Sequence, residues 1–358
     1  MEDMGISKTF WKNKTVLVTG HTGFKGSWLA IWLNQLGAAV HGYALKPPTQ
    51  PNMFTAAGVG KILKSNINDI RDYNKLLAVM KKCRPQIVFH LAAQPLVRQS
   101  YKEPLETYQT NILGTANVLQ AARYVKSVKA VIIVTSDKCY ENKESNYAYK
   151  ETDSLGGYDP YSSSKACAEI VTAAYRNSFF ANTDTAIASA RAGNVIGGGD
   201  WATDRLVPDC IKAWIKNKTV EIRYPHAIRP WQHVLEPLAG YIILAEKLYK
   251  HGDKFAGAWN FGPESKNIKN VAFLVDSIAK LWGKKAKWKK TGNKHPHEAI
   301  LLKLNCSMAK ARLPWRPCWN IKKTLEKTIQ WYKTYLEHPE KITAATIEQI
   351  NQYMKDSR

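Results

Sequence analysis

Five side chains that could move protons or stabilise charge stand in two short motifs. Ser136, Asp137 and Lys138 end and follow the apolar run AVIIVTS, and Tyr161 and Lys165 stand four apart in YSSSK. Residues four apart share one face of a helix, so the Lys165 ammonium is placed to lower the pKa of the Tyr161 phenol. A phenolate can remove a hydroxyl proton while a hydride leaves the same carbon. The two motifs therefore predict proton transfer coupled to oxidation of an alcohol.

A glycine-rich segment near the N-terminus could hold the phosphates of a dinucleotide. The strand-like run TVLVT leads into GHTGFKG, residues 20–26, and a helical pattern begins directly. Its spacing is G-x-x-G-x-x-G rather than G-x-G-x-x-G, but the glycines can serve the same tight turn, close backbone approach and helix packing. The alternative is a purely structural turn. The position of the glycine-rich segment between a first strand and a first helix favours dinucleotide binding.

The choice between NAD and NADP stays open from these residues. An acidic residue after the second strand normally binds the ribose 2′-hydroxyl, but HGYALKPPTQP contains none and offers Lys46. Lys46 could tolerate a 2′-phosphate or could be an ordinary surface lysine. Asp69 and Ile70 follow the third strand, where Asp69 could hold the adenine edge or lie near a helix N-cap.

The elements that must position these motifs alternate between apolar strands and helical patterns. TVLVT, AAVHGYAL, QIVFHLAA, AVIIVTS and DTAIASARAG are separated by helices expected near 25–36, 72–83, 105–126 and 161–180. This alternation predicts an α/β fold with a Rossmann-type, doubly wound parallel sheet. The rhythm breaks after Gly193, and shorter segments follow, with helices near 206–216 and 321–336. They predict a second, smaller α/β substrate domain and a cleft between the two parts.

Composition excludes several protein classes. The 358 residues include 45% hydrophobic and 23% charged side chains, which excludes global disorder, and no apolar run approaches the roughly 20 residues of a membrane span. Six scattered cysteines predict neither a disulfide framework nor a zinc site, so no metal is expected. The N-terminal segment lacks the apolar core of a signal peptide, and a cytoplasmic protein is expected.

The charge of the chain predicts affinity for phosphates. Lys and Arg exceed Asp and Glu by 52 to 29, a formal net charge of +23. The stretch WGKKAKWKKTGNK, residues 282–294, could be a nucleic-acid patch or a solvated helix end followed by a strand. Lysine runs usually face water, which favours the second interpretation. We therefore expect a small phosphorylated substrate and neither a nucleic acid nor a membrane as partner.

Longer stretches resemble the nucleotide-sugar 4,6-dehydratases, a group of the extended short-chain dehydrogenases/reductases. They are TGHTGFKGSWL, HLAAQPLVRQSY, TSDKCYEN, DPYSSSKACAE, ARAGNVIGGGDWATDRLVPD, RPWQHVLEPL and HEAILLKLNCSMAKARL. TSDKCYEN and GNVIGGGDW are the most discriminating of these. The resemblance covers nearly the whole chain and is strongest to members that act on CDP-glucose.

The resemblance implies a fold, a reaction and an assembly. It implies an NAD-binding domain at residues 1–193 with a return segment near 230–264, and a discontinuous nucleotide-sugar domain at 194–229 and 265–358. It implies a lyase that removes water from CDP-glucose by internal redox through tightly held NAD. It further implies a homodimer, or a tetramer, built through the helices near 105–126 and 161–180, and a place in lipopolysaccharide O-antigen deoxysugar synthesis.

The resemblance also implies a role for each catalytic side chain. Tyr161 takes the C4 hydroxyl proton, Ser136 hydrogen-bonds the C4 oxygen, and Asp137 protonates the leaving C6 hydroxyl. Related enzymes typically carry Glu where this chain has Lys138, and that position supplies the C5 base. A lysine can serve there only when it is neutral, a state that burial beside Lys165 and NAD⁺ favours.

Contacts with the two small molecules complete the expected site. Fourteen positions are expected to contact NAD: Gly20, Thr22, Gly23, Phe24, Lys25, Gly26, Asp69, Ile70, Leu91, Ala92, Ala93, Thr135, Tyr161 and Lys165. Besides Ser136, six positions are expected to contact the nucleotide sugar: Gln94, Asn194, Arg205, Arg229, His233 and His297. Gln94 could instead satisfy the backbone, and Arg205 and His297 could instead form surface ion pairs.

Two other functions are compatible with these motifs. A nucleotide-sugar 4-epimerase or reductase of the same fold would need Tyr161 and Lys165 but not an acid/base pair for elimination. The adjacent Asp137 and Lys138 argue against it. A non-catalytic nucleotide- or RNA-binding relative is suggested by the basic charge, and the intact set of Ser136, Tyr161 and Lys165 argues against that.

Overall fold

A computed structural model describes residues 6–291 and 301–357 of the chain. Within these ranges the helices α1 to α14 are Lys8–Trp11, Phe24–Gln35, Met53–Ala56, Tyr73–Cys83, Val97–Lys102, Pro104–Tyr108, Gly114–Arg123, Pro160–Tyr175, Leu206–Ile215, Leu235–His251, Val271–Trp282, Ser307–Arg312, Ile321–Glu337 and Ile342–Asp356. The strands β1 to β15 are Thr15–Thr19, Ala39–Ala44, Lys64–Ile67, Ile87–His90, Ala130–Val134, Ala148–Tyr149, Ala186–Ala192, Val195–Ile196, Val220–Ile222, Ile228–Arg229, Gln232–His233, Gly257–Phe261, Lys269–Asn270, Trp288–Lys290 and Lys303–Leu304.

Seven strands form one parallel sheet in the order β12-β7-β5-β4-β1-β2-β3. The central strands β4, β5 and β7 are buried along their whole length, as expected for a sheet covered by helices on both faces. Strand order reverses between β1 and β4. In such sheets the crevice beyond the carboxyl ends of the strands, at this reversal, is where ligands bind. The predicted Rossmann-type α/β fold is therefore confirmed.

The long helices that the sequence predicts are present, with one difference in their regularity. The helix near 105–126 is built from α6 and α7, joined by a π-helical turn at Gln109–Leu113. The helix near 161–180 is α8 followed by a π-helical turn at Arg176–Phe180. A π turn contains one residue more than an α turn, and the apolar periodicity of the sequence does not show such an insertion. The sequence therefore predicted the helices but not these π turns.

Helix α2 is buried almost all round, and the C-terminal helix α14 packs against it. Eight consecutive residues, Gly26 to Leu33, are buried, and the Trp32 ring meets that of Tyr353 on α14 edge to face. The Trp28 indole donates a hydrogen bond to the carbonyl of Gly198. The C-terminal helices thus cover the outer side of the dinucleotide-type βαβ unit.

The remaining strands form short pairs beyond the main sheet. β8 pairs with β11, β9 with β14, β6 with β15, and β10 with β13. They join short segments that precede and follow β7 in the chain. None of the helices in the described ranges is long and apolar enough to cross a membrane.

Candidate active site

The glycine-rich loop folds into a turn that only glycine can occupy at two positions. Gly20 has φ of +75°, and a methyl group there would lie 2.6 Å from the amide nitrogen of Ala92. A methyl group at Gly26 would lie 2.1 Å from the carbonyl oxygen of Gly20. Helix α2 begins at Phe24 and has no side-chain cap, so its first N–H groups point to the loop unpaired by a side chain. Such an N-terminus is suited to a phosphate group.

A cavity of about 560 Å³ lies over this loop. All fourteen positions expected to contact NAD line it: Gly20, Thr22, Gly23, Phe24, Lys25, Gly26, Asp69, Ile70, Leu91, Ala92, Ala93, Thr135, Tyr161 and Lys165. The cavity runs from the ends of β2 and β3 past the glycine loop to the end of β5. Its length, its glycine-lined floor and the uncapped helix fit a dinucleotide with its diphosphate at α2.

The end of the cavity near β2 and β3 carries charges of both signs. Lys46 lines it, and so does Arg71, whose guanidinium is paired with the Asp69 carboxylate at 2.5 Å. A hydrogen bond from Arg71 holds the pKa of Asp69 below its ordinary value. The Asp69 carboxylate is therefore already engaged by its own neighbour, while its backbone carbonyl accepts a hydrogen bond from Tyr43. The sequence did not identify Arg71 as part of this site.

A second cavity of about 500 Å³ opens beyond the carboxyl ends of β5 and β7. It shares six lining residues with the first: Lys25, Pro95, Leu96, Thr135, Tyr161 and Arg205. Ser136, Asp137 and Lys138 line the second cavity and not the first. Tyr161 therefore lies where the two cavities meet, and Ser136, Asp137 and Lys138 face the second cavity.

Ser136 and Asp137 are held together at the end of β5. The Ser136 hydroxyl donates to the Asp137 carboxylate at 3.0 Å and accepts a hydrogen bond from the Lys138 amide at 3.2 Å. Burial raises the pKa of Asp137, although Lys138 and the hydrogen bond from Ser136 oppose this. A carboxyl group that stays protonated at higher pH is better suited to act as an acid.

Tyr161 and Lys165 lie on one face of α8, but their pKa values differ from the expectation. Burial raises the pKa of Tyr161 to about 12, opposed by a hydrogen bond with Ser136 and by the charge of Arg205. Burial lowers the pKa of Lys165 to about 8, opposed by Glu169. Without a cofactor the tyrosine is thus held neutral. The sequence argument counted the lysine's charge and left out the desolvation of both groups.

Lys25 has a larger part in the site than the sequence indicated. It lines both cavities, and burial lowers its pKa to about 8, assisted by the nearby charges of Arg205 and Lys165. Asp137 and Asp200 oppose this shift. Three cations therefore surround the junction of the cavities, an arrangement that favours an anionic ligand there.

Three of the expected substrate contacts line the second cavity. They are Asn194, at the end of β7, Arg205, before α9, and Arg229, in β10. Arg205 also forms a 2.8 Å ion pair with Asp200, so the surface ion-pair alternative holds in part. Because Arg205 lines both cavities, its ion pair with Asp200 also shapes the junction between them.

Gln94 and His233 lie elsewhere. The Gln94 amide donates to the Leu96 carbonyl and the Thr107 hydroxyl, and its oxygen accepts from the Leu96 amide at 2.6 Å. It satisfies the loop backbone, which was the alternative to a sugar contact. His233 is fully buried between the rings of Trp28 and Trp319 and lines neither cavity. The sequence prediction for His233 was wrong, since these two rings enclose the side chain in the core.

His297 lies outside the described residues. The same applies to the last three residues of the stretch 282–294. In the described part of that stretch, α11 ends at Trp282 and β14 follows, as the second interpretation expected. The Trp282 ring packs against Trp214, and the Trp288 indole donates to Asp276 at 2.7 Å. Both indoles thus have partners within the protein.

Several residues at the second cavity were missed by the sequence reasoning. Arg98 lies in HLAAQPLVRQSY and Asp204 in GDWATDRL, and the structure pairs them at 2.7 Å across the cavity mouth. Both residues lie within motifs that the sequence analysis quotes, but the ion pair between them was not predicted. The segment 220–224 and Trp231 also line this cavity. No signal in TVEIRY distinguished a cavity wall from an ordinary edge strand.

The described residues contain no cluster of metal-ligating side chains and no disulfide. No group of three or more His, Cys, Asp or Glu side chains in residues 6–291 and 301–357 could hold a metal ion. All six cysteines are free thiols. Cys139 is buried next to the site, and burial raises its thiol pKa.

Comparisons with known proteins agree on one family. A sequence model described as GDP-mannose 4,6 dehydratase matches residues 17–328. A CDP-glucose 4,6-dehydratase of Salmonella typhimurium is 51% identical over 354 residues, covering 98% of each chain. A dTDP-glucose 4,6-dehydratase of Haemophilus influenzae is 24% identical over 88% of this chain and 97% of its own.

Solved structures agree on the fold. A dTDP-glucose 4,6-dehydratase of Bacillus anthracis in complex with NAD superposes with a TM-score of 0.73, at 21% identity, over 90% of this chain and 97% of its own. A UDP-glucose-4-epimerase of Stenotrophomonas maltophila with bound NAD gives 0.78, at 21% identity, over 90% and 99%. The chain belongs to the GDP-mannose 4,6-dehydratase family, the nucleotide-sugar dehydratases among the extended short-chain dehydrogenases/reductases.

Proposed function

We propose that the protein is a lyase that converts CDP-D-glucose to CDP-4-dehydro-6-deoxy-D-glucose. The observation that carries this proposal is the set of Ser136, Asp137 and Lys138 in the second cavity, opposite Tyr161 at its junction with the dinucleotide-type cavity. The 51% identity to a CDP-glucose 4,6-dehydratase over nearly the full length of both chains supports the choice of sugar and nucleotide.

The first cavity has the residues to hold NAD. The uncapped start of α2 and the glycine loop would hold the diphosphate, and Lys165 and Tyr161 would meet the nicotinamide ribose. Lys25 adds a cation beside the loop. When bound, NAD supplies the hydride acceptor for C4 of the sugar and then the hydride donor for C6.

The protein's own side chains would move the protons. Tyr161 would take the C4 hydroxyl proton while the Ser136 hydroxyl binds the C4 oxygen. The resulting carbonyl would acidify the C5 proton, which Lys138 would remove. Asp137, whose pKa is raised by burial, would protonate the departing C6 hydroxyl.

The substrate's nucleotide end would lie toward the outer part of the second cavity. Asn194 and Arg229 line it where a diphosphate would lie, and Arg is suited to bidentate phosphate contacts. We include in the proposal that residues 194–229 and 265–358 form the nucleotide-sugar domain. Residues 1–193, with the return segment near 230–264, then form the NAD-binding domain.

A turnover screen tests the proposal. The protein with NAD⁺ is incubated with CDP-, dTDP-, UDP- and GDP-activated hexoses, and the mass loss of water is followed. Loss of water from CDP-glucose alone is the expected result. Turnover of another sugar nucleotide would discard the cytidine assignment and keep the mechanism.

A nucleotide-sugar 4-epimerase remains a second candidate because epimerase structures superpose on this chain as well as dehydratase structures do. The two reactions differ at C5. Incubation with CDP-glucose in deuterated water should place deuterium at C5 of the product when elimination occurs. Inversion at C4 without deuterium would establish the epimerase, and NAD binding without any turnover would favour a non-catalytic relative.

The same proposal includes a homodimer formed by α6, α7 and α8 and the π turns that extend them. These helices expose four large apolar side chains: Leu105, Leu113, Ile170 and Phe179 are 75, 57, 55 and 44% accessible. Exposed apolar surface of this kind commonly marks an interface. Sedimentation analysis with a charged substitution at Leu113 distinguishes monomer, dimer and tetramer.

A cytoplasmic location agrees with six free thiols, and O-antigen sugar synthesis is the expected use of the product.

A further inference from the structure

A buried carboxylate that none of the proposed proton transfers uses lies beneath the site. Glu169 is 3% accessible and lies one helical turn after Lys165 on α8. It accepts hydrogen bonds from the hydroxyls of Thr135 and Ser189, the latter at 2.5 Å. Its second oxygen also forms a 2.9 Å ion pair with Arg191. Three side chains thus donate to this carboxylate.

These contacts connect the elements that carry the two catalytic motifs. Thr135 directly precedes Ser136 at the end of β5, and its backbone amide is bonded to the carbonyl of Ala190 on β7. Ser189 and Arg191 also belong to β7. Glu169 therefore fixes the distance between the catalytic helix and the catalytic strand end from below, where it cannot touch a ligand.

The network continues away from the site through Arg191. Arg191 donates to the Tyr140 hydroxyl at 2.7 Å and to the Glu151 carbonyl at 3.1 Å, and Tyr140 donates to Asn260 at 2.8 Å. Burial would raise the pKa of Glu169, but Arg191 and the hydroxyl donors lower it below its ordinary value. The carboxylate is therefore ionised, with a fixed cation on one side.

The same negative charge acts on Lys165. Glu169 and Cys139 are the groups that oppose the loss of the Lys165 proton on burial. On the cavity side, Lys25 and the buried His90 of β4 are affected by the Lys165 charge, and both have lowered pKa values. Among the neighbours of Lys165 named here, Glu169 is the one that carries a negative charge at neutral pH.

We propose that Glu169 is a positioning residue for the dehydratase reaction, which joins the helix of Tyr161 and Lys165 to the strand end of Ser136 and keeps Lys165 cationic. This inference rests on the proposed function. A cationic Lys165 is needed beside the phenol when the C4 proton leaves. Loss of the Glu169 charge therefore acts on the chemical step, even though Glu169 meets neither substrate nor cofactor.

The test separates charge from shape. Glu169→Gln removes the charge and keeps the size, and Glu169→Asp keeps the charge and shortens the reach. Because Glu169→Gln leaves Arg191 buried without a counter-charge, the double variant Glu169→Gln/Arg191→Met is made as well. Glu246→Gln is the matched control, since Glu246 is a buried carboxylate paired with Lys250 far from both cavities.

The readouts are kcat for water loss from pH 6 to 10, the pH dependence of NAD affinity, and the melting temperature. We expect Glu169→Gln and the double variant to lose activity at pH 8, with the alkaline limb of kcat displaced to lower pH by roughly one unit or more. Glu169→Asp should keep the position of that limb while kcat falls. Glu246→Gln should leave the profile unchanged.

Unchanged pH profiles in both charge-removing variants, with only a lower melting temperature, would reduce Glu169 to a structural residue. Failure of the double variant to fold would overturn the proposal in the same way. The wild-type protein is assayed in parallel, so a wild type that releases no water from CDP-glucose refutes the proposed function instead. In that case the pH dependence of NAD affinity still tests whether Glu169 controls Lys165.

Discussion

Gly193 leaves room for the Asp137 carboxyl group, and one added methyl group there should slow water loss selectively. A methyl carbon on residue 193 would lie 2.5 Å from Asp137 Oδ2 and 3.1 Å from its Cγ. Such carbons essentially never come within 3.0 Å of another heavy atom, so the carboxyl oxygen must move by at least 0.5 Å. Pro230 stands 3.1 Å away on the other side, and it limits how far the new methyl group can retreat.

The size of the effect follows from this displacement. Misplacing a reacting group by about 1 Å can cost about 10²-fold in rate. We therefore expect Gly193→Ala to slow elimination by about 10- to 100-fold, or about 1.4 to 2.7 kcal/mol of activation free energy. Oxidation at C4 uses Tyr161 and Ser136 and should keep nearly its wild-type rate. The crowded side chain should also cost about 1–3 kcal/mol of stability.

Rapid mixing with CDP-glucose measures both steps. Absorbance of NADH reports C4 oxidation, and quenched samples analysed by mass spectrometry report water loss. NADH should accumulate in Gly193→Ala because its consumption waits for elimination. Gly262→Ala is the control, since its methyl group would meet Cys306 Sγ at 3.3 Å in a part of the core that lines neither cavity. Wild-type elimination in Gly193→Ala, or an equal loss of both steps, would refute the role given to Asp137.

Three further predictions use other parts of the molecule. Lys138→Met should abolish water loss and C5 deuterium uptake but retain NADH formation, as followed by absorbance and mass. Gly198→Ala, which places a methyl group 2.0 Å from the Trp331 ring, should lower the urea midpoint of unfolding by more than Gly262→Ala does. Burial lowers the pKa values of His90 and His233 to about 3, so the folded state binds fewer protons than the unfolded state below pH 6.5. Stability should therefore fall as pH drops from 6.5, by about 2 kcal/mol per histidine at pH 5, and a His233→Gln variant should have a flatter profile of melting temperature against pH.

The positions of the catalytic motifs could be predicted because their signals are local. GHTGFKG follows a strand and begins a helix, and YSSSK begins another, so backbone geometry alone places both at the sheet's carboxyl edge. The order of the strands follows from the same alternation. Local periodicity was sufficient here because parallel sheets bring successive strand ends together.

Properties that depend on distant partners could not be predicted in this way. His233 is directed into the core by two tryptophans that lie far from it in sequence, Trp28 and Trp319. Gln94 is bonded to its own loop and to Thr107, which a motif cannot show. Desolvation of Tyr161 depends on everything packed around α8. Each is a tertiary effect, and each changed the expected role or charge state of the residue concerned.

The burial of α2 has a consequence for the order in which the chain can fold during synthesis. Its two tryptophans contact groups from the later part of the chain: the Trp28 indole bonds the Gly198 carbonyl, and the Trp32 ring meets Tyr353 on α14. The ribosome has therefore released the chain as far as α14 before this helix can be fully covered. Until then an apolar surface beside the dinucleotide loop stays open to water and to other nascent chains. Production of the protein should accordingly depend on chaperone supply, and shortening it within α14 should reduce soluble yield before it affects any catalytic group.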